Sequence, residues 1–254
     1  MAIASALIDL DRQLDVLRAD ITFVRLAVQL RPRLGSVVQW QATGEETELA
    51  KRFMNASSNN PEGVYGALLV RLLACFERYV RNTITEVVLK KSRAASYDEV
   101  ESTIGYRNLV LTGRLLSSLD TPRDHLVVDV DELIENLATC RRGSSAFRLN
   151  PVAFSSTLIS VTPSTLEKAF DNVNIKDWWD KIGASKSVAG LLGTKGARAT
   201  GEQAKERLKE LARWRNHLAH GGEGELTISD SDLSGAVDFV GIFGAALDAV
   251  VQQH

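Results

Sequence analysis

The chain has 254 residues, 44% of them hydrophobic and 24% charged, and carries a formal net charge of −2 at neutral pH. That length and balance fit one globular domain with a sizeable core. They exclude a protein that coats nucleic acid through a broadly basic surface, while a local basic cleft stays open.

Helical periodicity dominates the chain from its start. The first eight residues are apolar, but Asp9, Asp11 and Arg12 follow at once and no basic stretch precedes them, so no secretory signal is expected. Over residues 3–31, Leu7, Leu10, Leu14, Leu17, Ile21, Val24 and Val28 recur at three- and four-residue steps. Pro32 is expected to end that helix. A short helix is expected over 45–54 and a loop over 55–62, which is rich in Asn and Ser. A long helix follows over 63–91, with Leu69, Leu73, Phe76, Val80, Ile84 and Val87 on one stripe.

Further helices are expected over 98–119, with a weak point at Gly105, and over 129–140, 164–170 and 176–192. The last of these carries Trp178 and Trp179, read as core or interface packing in preference to base stacking. Residues 141–163 are the least regular, and 126–128 is the best candidate for a strand. The loop 193–201 is flexible in composition and bears Lys195 and Arg198, which are candidates to line an RNA path or are simply solvated. The run from Gly190 to Gly196 lacks the spacing of a phosphate loop.

Two helices close the chain. One spans 200–220 and is stopped by Gly221 and Gly222. The other opens at the cluster Ser229-Asp230-Ser231-Asp232, a good cap and first turn. No apolar run approaches the ~18–20 residues of a membrane span. The expectation is therefore an all-α, cytoplasmic single domain over 1–254, with 97–196 as a possible helical insert or set of peripheral helices, and no membrane partner. Cys75 and Cys140 have no Cys or His neighbours at metal spacing and read as reduced core thiols. Four histidines without ligand spacing give no metal site, and no cofactor is expected.

Chemistry concentrates in Arg213-Trp214-Arg215-Asn216-His217-Leu218-Ala219-His220, which holds two of the four histidines. At about 100° per residue, Leu208, Leu211, Ala212, Trp214, Leu218 and Ala219 share one arc. Arg213, Asn216, His217 and His220 form a polar ridge on the other. Arg215 falls inside the apolar arc. An unpaired buried guanidinium is costly, and Glu77, at the edge of the apolar stripe of 63–91, is the expected partner.

Metal-free cleavage of RNA needs a base for the ribose 2′-hydroxyl, an acid for the leaving 5′-oxygen and a cation on the phosphate. Histidine serves the first two roles near neutral pH, and arginine the third. Asn216, one turn before His220, can orient it or donate to a phosphate oxygen. Two copies around a two-fold axis would supply two of each group to one cleft.

The segment from Arg215 to His220 resembles the R-x4-H signature, often R-N-x3-H, of HEPN domains. Residues 72–80, with Glu77 at their centre, resemble the acidic helix found upstream in several of those families, and the arrangement is most similar to the RiboL-PSP type. The resemblance implies an up-down four-helix core and a homodimer with a composite active site. It implies metal-independent endoribonuclease activity in toxin–antitoxin or phage-defence systems, with an antitoxin or defence partner protein. On the same basis Arg215 would bind phosphate, Asn216 assist, His220 act as acid and base, and Glu77 support, while the role of His217 is open. Arg213 is a further RNA-binding candidate. The tyrosine that often stands two residues past the histidine is replaced by Gly222, which argues against silencing by adenylylation there. The competing reading is a non-catalytic helical module that dimerises or binds RNA or protein.

Overall fold

The computed structural model describes residues 3–38, 61–93, 96–118, 128–142, 146–220 and 226–254. The described helices are α1 (Ile3–Val38), α2 (Pro61–Lys91), α3 (Asp98–Val100), a π-helical turn (Glu101–Gly105), α4 (Tyr106–Ser117), α5 (Val130–Arg141), α6 (Pro151–Ser155), α7 (Pro163–Asn172), α8 (Trp178–Gly183), α9 (Lys186–Leu192), α10 (Ala197–His220) and α11 (Asp230–Val251). Among the described residues there is no strand, and Val128 is irregular. The helix expected over 45–54, nearly all of the loop 55–62, residues 126–127 and the stop at Gly221 and Gly222 lie outside the described residues.

The bundle consists of α1, α2, α10 and α11. Its directions follow from the cross-helix pairs. Arg78 meets Asp9 at 3.2 Å and Arg71 meets Asp20 at 2.9 Å, so α1 runs against α2. Arg18 meets Asp238 at 3.5 Å and Arg25 meets Asp230 at 2.8 Å, so α1 also runs against α11. A Cβ placed on Gly66 of α2 would meet Leu218 Cδ2 of α10 at 3.1 Å, while Arg215 acts on Glu77 further along α2. Helix α10 therefore runs against α2, and the four alternate in direction. The ion pairs are exposed and fix register more than they stabilise.

Every residue of the expected α2 stripe is buried. Phe243 of α11 sits at the centre, edge-on to Phe76 at 5.9 Å and packed on Trp179 at 5.8 Å and Phe239 at 5.5 Å. Trp178 and Trp179 stack at 4.1 Å and are buried, so their rings serve the core. Truncating a ring at such a position typically costs about 3–5 kcal/mol. Tyr79 donates its buried hydroxyl to the Gly244 carbonyl at 2.9 Å. Both cysteines are free and buried.

Several boundaries differ from the sequence expectation. Helix α1 does not stop at Pro32 but continues to Val38. A proline removes one helical hydrogen bond and strains the preceding turn. Good helix formers on both sides (Leu30, Arg31, Arg33, Leu34) carry the helix through. Helix α2 begins at Pro61, with proline in the first turn where its missing N–H costs nothing. The single helix expected over 176–192 is two: left-handed Asp177 delays the start of α8 to Trp178, and the chain breaks after Gly183, where Ser185 leaves the helix and caps α9. The weak point at Gly105 is real: the π-turn ends there, with the Tyr97 hydroxyl filling the space a Cβ would need. Ser229 and Asp232 form a reciprocal capping box at the start of α11. That helix is long and apolar enough to cross a membrane by length and composition, which a search for uninterrupted apolar runs misses. In the fold, 61% of its most apolar window is buried inside the bundle.

Residues 97–196 pack in two groups. Helices α8 and α9 lie against α10 and α11, while α6 carries α4 and α5 onto the side of α2. A buried polar cluster holds the second group together. Asn136 Nδ2 donates to Asn150 Oδ1 at 2.9 Å, and Asn150 Nδ2 donates to Thr112 Oγ1 at 3.0 Å and to the Leu133 carbonyl at 3.1 Å. The Asn150 amide N–H donates to Asn108 Oδ1 at 2.8 Å.

Candidate active site

Helix α10 delivers the chemistry-bearing segment to one end of the bundle. Its inner face is fixed by Ala204, Leu208 and Leu211, all buried. Near its C-terminal end Leu218 fits the notch at Gly66, a close approach that only glycine on α2 allows without displacement. With the apolar arc so anchored, Arg213 and Asn216 face solvent and His217 is half-buried. His220 is the last described residue of α10, on the same ridge by its helical register.

Arg215 is half-buried, as its place inside the apolar arc requires. Its Nη1 donates to Asn216 Oδ1 at 3.2 Å. Glu77 is buried, with 8% exposure, and faces the same region. Burial pushes the Glu77 carboxyl above its ordinary value; the positive charge of Arg215, and then that of Arg81, opposes the rise. The expected pairing of Glu77 with Arg215 is not made as an ion pair, although the charge of the guanidinium reaches the carboxyl. No ion pair within 4 Å joins them among the described residues, and the closer partner is Arg81, whose Nη2 lies 3.9 Å from Glu77 Oε2. The reason is geometric. Arg81 stands one turn from Glu77 on the same helix, whereas Arg215 reaches from the rim and spends a donor on Asn216.

Arg81 is the residue that sequence reasoning missed. Its Nε and Nη2 donate to the Leu158 carbonyl at 3.3 and 3.1 Å, and its side chain is only 20% exposed. The i,i+4 spacing from Glu77 was the available signal.

Lys195 and Arg198 do not join the cluster. They line a shallow depression with Ala197 and Glu202 at the N-terminal end of α10. From Arg198 to Arg215 the helix rises about 25 Å. Between the two ends, Lys205 and Lys209 are each held by a glutamate three residues earlier, at 3.2 and 2.6 Å. No group of three or more His, Cys, Asp or Glu residues suited to a metal occurs among the described residues.

The arrangement presents a guanidinium coupled to a buried carboxyl, an amide bonded to that guanidinium, and a helix end carrying histidine. Such a set can bind a phosphodiester and exchange protons with it; one chain supplies a single copy. A model of the family described as RiboL-PSP-HEPN matches residues 45–253. Searches of curated proteins and of solved structures returned no match.

Proposed function

Because the chain belongs to the RiboL-PSP-HEPN family, we propose that it is a metal-independent endoribonuclease whose active site is completed by a second copy of the chain. The observation that carries this reading is the placement of Arg215, Asn216 and His220 on the last two turns of α10, with Arg215 coupled to the buried Glu77. In the reaction, a histidine takes the proton of the ribose 2′-hydroxyl as the 2′-oxygen attacks the adjacent phosphorus. The bond from phosphorus to O5′ breaks and O5′ receives a proton, leaving a 2′,3′-cyclic phosphate and a 5′-hydroxyl. Arg215 holds the charge that builds on the phosphoryl oxygens. Glu77 and Asn216 keep the guanidinium in place, and Arg213 adds charge on the exposed ridge.

Two features support a paired site. One chain offers one copy of the segment, whereas the reaction needs both an acid and a base. The bundle end that carries Leu218 and Gly66 also carries the Arg25–Asp230 pair of α1 and α11. Beside Arg25, Phe23 and Leu26 are 68% and 49% exposed, an apolar surface suited to a second copy. A toxin or phage-defence role in the cytoplasm, under an antitoxin or another defence protein, fits such an activity.

The test is cleavage of single-stranded RNA by the purified protein in excess chelator, with fragment ends mapped, for the wild type and His220→Ala. The proposal expects cyclic-phosphate ends, loss of cleavage in the variant, and a dimer in both by sedimentation. A wild type that dimerises or binds RNA without cutting it would establish the non-catalytic module instead.

A further inference from the structure

A second polar cleft, of about 450 Å³, opens one turn along α2 from Glu77, between α2, the start of α5 and the start of α6. Such a volume lies in the range of small-ligand sites. We propose that this cleft binds one guanine nucleotide of the RNA, next to the bond that is cut; the inference rests on the cleavage reading above for its context but not for its test.

The floor of the cleft is rigid. Asn136 and Asn150 line it, are 5% and 0% exposed, and are locked to each other and to Thr112 and Leu133. The Asn136 amide spends its nitrogen on Asn150, while its oxygen has no partner among the described residues and is not sealed from solvent. The walls are unspent. Asn82 and Glu132 are exposed and carry no side-chain hydrogen bond or ion pair among the described residues. Asp129 gives one carboxylate oxygen to the Glu132 amide as the cap of α5, leaving the other. Arg81 joins the cleft to the first site: it lines the cleft, faces Glu77 at 3.9 Å, and keeps Nη1 without a partner among the described residues.

The charge balance selects the ligand class. Two carboxylates against one guanidinium disfavour a pyrophosphate or any other bare polyanion. They favour a neutral ring that donates more strongly than it accepts along one edge. Among the bases guanine fits best: its N1–H and N2–H2 form a donor pair matching a carboxylate, and its O6 and N7 form an acceptor pair matching arginine or an amide. Glu132 supplies the first match, and Arg81 with Asn82 the second. Leu133, Pro151 and Val152 give the ring an apolar bed. Single-stranded RNA is read in this manner, through the edges of splayed bases.

The experiment measures binding of the four nucleoside 5′-monophosphates to the full-length protein by saturation-transfer NMR. It uses the wild type, Glu132→Gln, Asn82→Ala, and Arg215→Ala as a variant silent in cleavage. Expected is a roughly tenfold preference for guanosine monophosphate, the size of one good bidentate pair. The preference should be lost in Glu132→Gln, weakened in Asn82→Ala and kept in Arg215→Ala, with unchanged circular dichroism throughout. Equal binding of all four nucleotides, no binding, or a preference that survives Glu132→Gln would each overturn the proposal. Cleavage by the wild type is read separately, so an inactive protein that still prefers guanosine monophosphate refutes the nuclease reading and leaves the cleft as assigned.

Discussion

Replacing Gly183 and Gly190 by alanine, one at a time, makes the same chemical change in adjoining helices, and the structure gives the two opposite signs. Gly190 lies inside α9, and a Cβ built there meets nothing within 4 Å. Alanine should therefore stabilise by about 0.5–1 kcal/mol, the cost glycine imposes on a helix. Gly183 ends α8 where it crosses the start of α10. A Cβ there collides with the Ala197 carbonyl oxygen, and the Ala197 carbonyl carbon and the Gly201 amide nitrogen stand 3.0 and 3.3 Å away. These are backbone atoms that no rotamer change can move. Overpacking of this kind costs about 1–3 kcal/mol, so even after the propensity gain the net loss is about 1–2 kcal/mol. The two variants should differ by roughly 2–3 kcal/mol. Urea unfolding followed by circular dichroism would read this as midpoints roughly 1 M apart at a common slope. A Gly183→Ala protein that unfolds at or above the midpoint of Gly190→Ala would refute the crossing of α8 on α10 as described.

Glu77→Gln tests the buried carboxyl. Its folded value is raised above the unfolded one, so its contribution to stability is fully present below pH of about 4.5 and is lost as pH rises through the folded value. The melting temperature of the wild type relative to Glu77→Gln should therefore fall as pH rises above about 4.5; a constant difference would contradict the burial. Arg215→Lys keeps the charge and removes the fork, and RNA cleavage should drop about 100-fold with little change in melting temperature. Cleavage at wild-type rate would remove Arg215 from the phosphate. Asn150→Ala strips three side-chain hydrogen bonds from a fully buried site, and a loss of about 3 kcal/mol in urea unfolding is expected. A variant of unchanged stability would mean those bonds are not made.

The sequence made the bundle legible because its four helices are long and their apolar stripes keep strict period. Glu77 and Arg215 are each visible as a charge out of place on an apolar face, and that anomaly alone points α2 and α10 toward each other. Their separation was not legible, because the identity of the nearer cation depends on rotamers and on the Leu158 carbonyl that holds Arg81. The break between α8 and α9 was hidden for a different reason. Residues 176–192 carry a helical pattern throughout, and only the packing of Gly183 against α10 and the extended backbone of the capping Ser185 divide it. Lys195 and Arg198 drew attention by composition alone. Charge on a loop says nothing about which end of a 24-residue helix it will occupy.

The side chain of Asn150 ties together three stretches of chain that are distant in sequence, with one donor group and one acceptor. Losing any of the three attachments leaves the others without their geometry, so helices α4, α5 and α6 should gain and lose amide protection as one cooperative unit. Anything that seats itself against Asn136 would slow hydrogen exchange as far away as Thr112, and occupancy of that corner becomes measurable without observing the ligand at all.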